Sequence, residues 1–215
     1  MHYTSVIFDL DGTLLDTLGD LTAAMNRTLA RHGLPERTRQ QMRAALGNGA
    51  RRLMELSVPA GTDGALFETL LAEYNADYAA HCRIETAPYP GVDALLRQLH
   101  AQGRKLAIVS NKPDEAVRAL RAEFFADTVP IAVGEKQGIR RKPAPDTLLA
   151  AMAQLGADPA STVYVGDSEV DIATARAAGL PCISVLWGFR DRDLLEQAGA
   201  QQFAADAGEL ARLLD

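Results

Sequence analysis

Cysteine is scarce in this sequence. Only Cys82 and Cys182 occur among 215 residues, and they do not form a CxxC spacing. Neither a disulfide framework nor a zinc-thiolate site is therefore indicated. A reducing compartment fits this composition, and the predicted location is the cytoplasm.

An excess of positive charge and a long hydrophobic run are also lacking. The chain has 22 Lys and Arg against 28 Asp and Glu, a net charge of −6. This balance offers no basic surface for a nucleic acid, although small anionic ligands could bind a local cluster. The first apolar run, 5–8, meets Asp9 and Asp11 too soon to be a signal peptide or a membrane span. We expect neither a nucleic-acid partner nor a membrane.

Short apolar runs are what the sequence does contain, and 47% of its residues are hydrophobic, enough for a real core. They predict five buried parallel strands, at 6–8, 106–109, 129–133, 163–165 and 182–186. Helical patterns follow or separate them, at 92–101, 116–122, 146–155 and 172–178. This alternation predicts an α/β fold with a doubly wound parallel sheet.

One segment breaks the alternation. After the first strand the chain shows helical patterns only, at 21–31, 40–46, 51–56 and 66–80. We interpret 17–87 as an inserted all-α cap domain, and 1–16 with 88–215 as the α/β core. The proline-rich return at 87–91 is stiff and could serve as one strand of a hinge on which the cap opens and closes.

The most informative motif is the string from Asp9 to Thr17, which reads DLDGTLLDT. It follows the first strand directly, where an open α/β sheet places its ligand crevice. A turn at Gly12 would let Asp9 and Asp11 reach the same ligand, because an extended backbone would splay them apart. A bare Asp-Gly pair would indicate only a turn, but the full string in this position favours a site.

Two further motifs carry groups that can bind phosphate. Ser110 and Asn111 follow the second core strand, where they could hydrogen-bond phosphate oxygens or cap a helix begun by Pro113. Lys142 precedes two prolines that fix the local chain, so its side chain can be held pointing inward. Arg140 and Arg141, beside it, could be no more than a solvated basic run.

The last motif follows the fourth core strand. Asp167 ends that strand and can face the same crevice as Asp9. Ser168 and Asp171 are spaced as in a helix capping box, with Asp in place of Glu or Gln. Asp171 could therefore cap the helix, orient Lys142, or do both.

Together these four motifs resemble those of the haloacid dehalogenase superfamily, and in particular its phosphoglycolate phosphatase-like branch with an α-helical cap. The resemblance covers essentially the whole chain and implies a Rossmann-like core. It implies that Asp9 attacks phosphorus and that Asp11 acts as general acid and then as base. It also implies Mg²⁺ as cofactor, held by Asp9, the backbone carbonyl of Asp11, and Asp167.

The same resemblance implies a set of groups around the substrate. Ser110 would bind the transferring phosphoryl group with Asn111 beside it, and Lys142 would offset negative charge. The complete expected phosphate-binding set is Gly12, Thr13, Ser110, Asn111 and Lys142, supported by Ser168 and Asp171.

A cap segment resembles a loop and helix start of that branch. Its arginines, Arg51 and Arg52, could meet a carboxylate of the substrate, and Arg51 is the candidate we retain. The alternative is that both are surface residues of an amphipathic helix whose Leu53 and Leu56 face inward.

The expected function is Mg²⁺-dependent hydrolysis of a small phosphate monoester through a phospho-aspartate, most similar to phosphoglycolate phosphatase. The expected partner is a small phosphorylated metabolite, and the expected assembly a monomer or a homodimer. A β-phosphoglucomutase-like sugar phosphate mutase, a pyrophosphatase and a nucleotide phosphatase remain alternatives, and a non-catalytic binding module is disfavoured by the intact motifs. A dehalogenase is disfavoured because Asp11 is present. A phosphonate-cleaving relative is disfavoured because all four lysines lie after the cap.

Overall fold

The computed structural model describes residues 3–215, which form a six-stranded parallel sheet flanked by helices and a separate two-stranded sheet. The strands are β1 (Ser5–Phe8), β2 (Leu15–Asp16), β3 (Ala87–Pro88), β4 (Lys105–Pro113), β5 (Ile131–Glu135), β6 (Thr162–Gly166), β7 (Cys182–Val185) and β8 (Gln202–Ala204). The large sheet has the order β5-β4-β1-β6-β7-β8, and β2 pairs with β3.

Ten α-helices are present in the described residues. They are α1 (Leu18–Arg31), α2 (Arg39–Ala45), α3 (Gly49–Ser57), α4 (Gly64–His81), α5 (Val92–Ala101), α6 (Asp114–Phe124), α7 (Asp146–Leu155), α8 (Glu169–Ala178), α9 (Arg192–Gln197) and α10 (Ala207–Leu214). Both the doubly wound parallel sheet and the inserted helical segment that the sequence predicts are present.

The central strand explains why the sheet is parallel and buried. All four residues of β1 are buried, and β1 pairs in parallel with β4 on one side and β6 on the other. Ile7 lies beside Ala107 of β4 and Tyr164 of β6. These residues belong to one core cluster with Leu148 of α7 and Ala175 of α8. Full burial of a side chain such as Ile or Leu contributes about 1.5–3 kcal/mol, so this cluster anchors the sheet.

Chain order around β1 determines where a ligand crevice forms. From β1 the chain proceeds to β4 and β5 on one side, and then to β6, β7 and β8 on the other. The direction of winding therefore reverses between β1 and β6. In open α/β sheets, ligands bind at such a switch point, outside the carboxyl ends of the strands.

The chain divides into two compact units. One is the segment before Thr17 together with Pro88–Asp215, and the other is Thr17–Ala87. The helical unit has its own polar framework, in which the buried carboxylate of Asp77 pairs with Arg27 and Arg31. In the same unit the Asp20 carboxylate accepts hydrogen bonds from the backbone N–H groups of residues 84–86 and so joins the start of α1 to the chain that follows α4.

Several details differ from the sequence prediction. β4 continues to Pro113 and α6 begins at Asp114 without a side-chain cap, so neither Ser110 nor Asn111 caps a helix. β8, α9 and α10 were not predicted from the sequence; β8 has three residues and α9 has six, too few to show a hydrophobic period. No helix within residues 3–215 is long and apolar enough to cross a lipid bilayer.

Candidate active site

Two buried carboxylates lie at the switch point of the sheet. Asp9 directly follows β1, and its backbone N–H donates to the carbonyl of Val165 in β6 at 2.8 Å. Asp167 directly follows β6. With Asp171 of α8 they form an acidic cluster in which the three carboxylate oxygens lie within 4.8 Å of one another. The predicted convergence of Asp9 and Asp167 on one crevice is therefore present in the structure.

This crowding changes the proton affinity of both groups. Burial, and then repulsion from Asp171, raises the pKa of Asp9 well above its usual value, although Lys142 acts in the opposite direction. Burial and Asp171 likewise raise the pKa of Asp167 to about 7. Both carboxyl groups therefore hold a proton more tightly than they would in water, and a bound cation would favour their ionised forms.

Lys142 supplies the positive charge next to Asp9. It lies in the loop between β5 and α7, and its Nζ is 2.8 Å from Asp9 Oδ1 and 2.8 Å from Asp171 Oδ1. Burial alone would lower the pKa of Lys142, but Asp171 and Asp9 outweigh burial and raise it above its usual value. The ammonium is therefore charged at neutral pH.

Asp171 both caps its helix and holds Lys142. Its Oδ2 accepts from the backbone N of Ser168 at 3.1 Å and from Ser168 Oγ at 2.6 Å, which completes the capping box of α8. Its Oδ1 faces Lys142 Nζ. Asp171 therefore links the start of α8 to the ammonium of Lys142.

The side chain of Asn111 holds the backbone of Lys142 in place. Asn111 Nδ2 donates to the Lys142 carbonyl at 3.0 Å, and Asn111 Oδ1 accepts from the Lys142 N–H at 2.8 Å. β4 thereby fixes the loop that carries the lysine. Asn111 was predicted to lie beside the phosphate, and its contact with Lys142 was not predicted because the partner groups belong to the backbone.

Asp11 lies against the end of β4. Lys112 Nζ is 2.6 Å from Asp11 Oδ1, and Ser110 Oγ donates to Asp11 Oδ2 at 3.3 Å. No role was predicted for Lys112 from the sequence. A signal was available, because residues i and i+2 of a strand share a face, so a site that includes Ser110 also predicts Lys112.

The loop after Asp11 packs on Asp167. Thr13 Oγ1 donates to Asp167 Oδ1 at 3.2 Å, and the backbone N–H of Phe189 donates to Asp167 Oδ2 at 2.7 Å. Gly12 has a φ of 84°, and a Cβ at this position would collide with the Asp167 carboxylate. Trp187 Nε1 donates to the Thr13 carbonyl at 3.0 Å. Gly12 and Thr13 therefore shape the crevice around Asp167.

Arg51 lies in the helical unit, near the start of α3. Its guanidinium binds Glu68 through two hydrogen bonds of 2.8 Å and lies 5.3 Å from the centre of the Phe67 ring. Arg52 instead pairs with Glu55. The role of Arg51 toward a substrate carboxylate stays a prediction.

Known proteins resemble this chain along nearly its whole length. A phosphoglycolate phosphatase of Xanthomonas campestris pv. campestris is 36% identical over 187 residues, which cover 86% of this chain and 84% of the relative. An N-acetylmuramic acid 6-phosphate phosphatase of Pseudomonas aeruginosa is 32% identical over 217 residues, which cover 100% of this chain and 96% of the relative.

The fold comparison agrees with these sequence relatives. A crystal structure of a protein from Lactobacillus delbrueckii subsp. bulgaricus superposes with a TM-score of 0.94 at 36% identity, covering 100% of this chain and 99% of the other. The model of the haloacid dehalogenase-like hydrolase family matches residues 6–185, and the acidic cluster lies within that range. The chain therefore belongs to the haloacid dehalogenase-like hydrolase family.

Proposed function

We propose that this phosphatase hydrolyses a small phosphate monoester that also carries a carboxylate, with Asp9 as nucleophile and Mg²⁺ as cofactor. The observation that carries the proposal is the 2.8 Å contact between Asp9 Oδ1 and the buried ammonium of Lys142, at the switch point of the sheet. A carboxylate held beside a buried cation is equipped to approach a phosphate dianion that would otherwise repel it.

The residues around Asp9 fit a magnesium ion. The donors are hard carboxylate oxygens from Asp9 and Asp167, to which the proposal adds the backbone carbonyl of Asp11. Burial, and then repulsion from Asp171, raises the pKa values of Asp9 and Asp167, and a divalent cation would favour the ionised form of each. When bound, Mg²⁺ would supply positive charge to the nucleophile and to the phosphoryl oxygens.

In the first step of the proposed mechanism, an oxygen of Asp9 attacks phosphorus while the bond between phosphorus and the ester oxygen breaks. Asp11 gives its proton to the leaving oxygen, so that an alcohol departs. Lys142 offsets the charge of the nucleophile, and Ser110 with the adjacent backbone N–H groups holds the phosphoryl oxygens. The product of this step is an aspartyl phosphate on Asp9.

In the second step, water attacks the phosphorus of the aspartyl phosphate. Asp11, now ionised, takes a proton from that water, and Asp9 leaves as a carboxylate. The two steps return both aspartates to their starting protonation states, so no further co-reactant is needed.

The proposed substrate class follows from the names of the relatives. Phosphoglycolate and N-acetylmuramic acid 6-phosphate differ in size, but each combines a phosphate monoester with a carboxylate. The relative named for the second substrate spans 100% of this chain. We therefore treat the pair of anionic groups as the shared feature, and the size of the substrate as the property to be measured.

The test is phosphate release from matched substrates with Mg²⁺ or with a chelator. N-acetylmuramic acid 6-phosphate is compared with N-acetylglucosamine 6-phosphate, which lacks the lactyl carboxylate, and 2-phosphoglycolate is compared with ethyl phosphate. We expect metal-dependent release that favours the carboxylated member of a pair and is lost in Asp9→Asn. Preference for pyrophosphate, a nucleotide or a sugar phosphate without a carboxylate would refute the proposed substrate class but would leave the proposed mechanism in place.

Other outcomes point to other functions. Interconversion of sugar phosphates that exceeds hydrolysis would indicate a mutase. If no compound in the panel, including an aryl phosphate, releases phosphate, the proposal is wrong and the mutase and the binding module are the remaining alternatives.

Arg51 is the proposed partner of the substrate carboxylate. Arg51→Ala should raise KM for the preferred carboxylated substrate and leave KM for an aryl phosphate unchanged. Arg52→Ala, which removes a neighbouring arginine paired with Glu55, is the matched control. Equal KM values for Arg51→Ala and the wild type on the carboxylated substrate would remove Arg51 from the site.

A further inference from the structure

We propose that Tyr164 is a positioning residue whose hydroxyl group fixes the direction of the Lys142 ammonium toward Asp9. The inference deepens the proposed function, because it rests on the role assigned there to Lys142. Tyr164 lies in β6, three residues before Asp167, and belongs to none of the motifs that the sequence analysis assigned to the site.

The ring of Tyr164 is part of the hydrophobic core, but its hydroxyl group is part of the site. The residue is 0% exposed and packs in a cluster with Ile7, Ala107 and Leu148. Its Oη lies 2.9 Å from Asp171 Oδ1 and 3.1 Å from Lys142 Nζ. A buried phenol placed only for packing would not need two ionic partners.

The hydrogen-bond inventory explains what the hydroxyl does. A lysine ammonium has three N–H donors and no acceptor. Three acceptors meet Lys142 Nζ: Asp9 Oδ1 at 2.8 Å, Asp171 Oδ1 at 2.8 Å and Tyr164 Oη at 3.1 Å. Each donor thus has one acceptor, and rotation of the ammonium would break bonds that burial makes costly to lose.

The hydroxyl of Tyr164 can serve both partners at once. Its single hydrogen goes to Asp171, which leaves a lone pair on Oη for Lys142. Burial, and then the charge of Asp171, raises the pKa of Tyr164 well above its usual value, so the hydroxyl keeps its hydrogen at neutral pH. Asp171 cannot replace this contact from its other oxygen, because Oδ2 is bound by Ser168.

Replacement of the tyrosine by phenylalanine would keep the ring and remove only the oxygen. One N–H of the ammonium would then lack a partner inside the protein, and Lys142 would tilt toward its remaining acceptors. Displacement of the group that accompanies the nucleophile slows the chemical step without weakening substrate capture, because it acts on the transition state.

The matched pair of variants is Tyr164→Phe and Tyr3→Phe. Tyr3 is also buried, but it precedes β1 and so lies at the opposite edge of the sheet from the carboxyl ends of the strands. With Mg²⁺ present, we expect Tyr164→Phe to lower kcat about tenfold, since a 1 Å misplacement can cost about 100-fold. KM should stay within about twofold, and Tyr3→Phe should match the wild type. A kcat for Tyr164→Phe equal to that of Tyr3→Phe would overturn the proposal.

A second measurement needs no activity and therefore separates this proposal from the proposed function. The thermal unfolding midpoint is measured for the wild type, Tyr164→Phe, Lys142→Met and the double variant. We expect Tyr164→Phe to lower the midpoint less when Lys142 is already absent, because the hydroxyl then has no ammonium to hold. Equal shifts in both backgrounds would overturn the proposal, whether or not the wild type releases phosphate.

Discussion

The ammonium nitrogen of Lys112 lies 2.6 Å from Oδ1 of Asp11, and both groups stand at the carboxyl end of the sheet. Ser110 holds the other oxygen of the same carboxylate. Lys112→Met should therefore free the Asp11 side chain and lower kcat, by about tenfold if part of the 10²–10⁴-fold contribution of general acid–base catalysis is lost. Steady-state kinetics with an aryl phosphate measure this effect.

Lys105→Met is the control for that variant. Lys105 begins the same strand, β4, at the opposite edge of the sheet, and its Nζ bonds to the carbonyl of Gly156. We expect Lys105→Met to keep the wild-type kcat. If the two lysine variants have the same kcat, Lys112 does not position Asp11.

Asn111→Ala should reduce both stability and turnover. The change leaves the buried backbone N–H and C=O of Lys142 without their side-chain partner, which costs about 1–3 kcal/mol for each group left unsatisfied. Urea denaturation measures the free energy of unfolding, and kcat reports the position of the lysine.

Asn26 offers a close match for this experiment. Its side chain makes the same pair of bonds to the backbone of Arg37 in the helical unit, with Nδ2 donating to the carbonyl and Oδ1 accepting from the N–H. Asn26→Ala should lower stability to a similar degree. A similar drop in kcat for Asn26→Ala would mean that the activity loss in Asn111→Ala follows from stability alone.

Alanine variants of two glycines can separate the effect of backbone strain from the effect of disturbing the site. Gly12 and Gly61 have φ values of 84° and 81°, so alanine at either position costs about 1–2 kcal/mol. A Cβ at Gly61 meets nothing within 4 Å, whereas a Cβ at Gly12 collides with the Asp167 carboxylate. Gly12→Ala should abolish turnover while Gly61→Ala retains it, as measured by phosphate release from folded protein. Retained turnover in Gly12→Ala would show that the loop can shift away from Asp167 at no catalytic cost.

Asp167 should make the metal-free protein less stable as pH rises. Its pKa is 3.8 when unperturbed and about 7 in the folded state. Between these pH values the folded state binds more protons than the unfolded state, so the free energy of unfolding falls with rising pH, and the loss is complete above about 7. With a chelator present, the thermal unfolding midpoint of Asp167→Asn should therefore rise relative to that of the wild type as the pH increases from 4.5 to 7.5.

Magnesium should reverse the stability advantage of Asp167→Asn at higher pH, because the ion binds the ionised carboxylates of the wild type and stabilises its folded state. Asp93→Asn, which removes a half-exposed carboxylate of α5 outside the acidic cluster, serves as the control. A constant difference between Asp167→Asn and the wild type across this range would show that the carboxyl group is not protonated in the folded state.

Strand ends were the part of the site that the sequence could predict. Apolar runs located β1, β4 and β6, and polar residues just after such runs had to meet at one edge of a parallel sheet. The helical insertion could also be predicted, because no strand pattern interrupts it. β8 was not predicted because only one of its three residues is buried.

Contacts to the backbone were the part that the sequence could not predict. The bond from the Phe189 N–H to Asp167 involves no side chain of Phe189, and the side-chain amide of Asn111 binds main-chain groups of Lys142. The contact of Tyr164 with the site could not be predicted for another reason. In the strand sequence Val-Tyr-Val the ring of Tyr164 is typical of a core residue. The sequence does not show that the hydroxyl group of the same side chain has polar partners.

The bond from Phe189 to Asp167 also has a meaning for the order in which the protein is made. Translation adds Asp9 before Asp167, and the Phe189 N–H that binds the Asp167 carboxylate is added only after β7. A nascent chain thus carries the proposed nucleophile, Asp9, before the backbone group that holds Asp167 has been made. The acidic cluster therefore gains this contact only after five of the six strands of the large sheet have been synthesised.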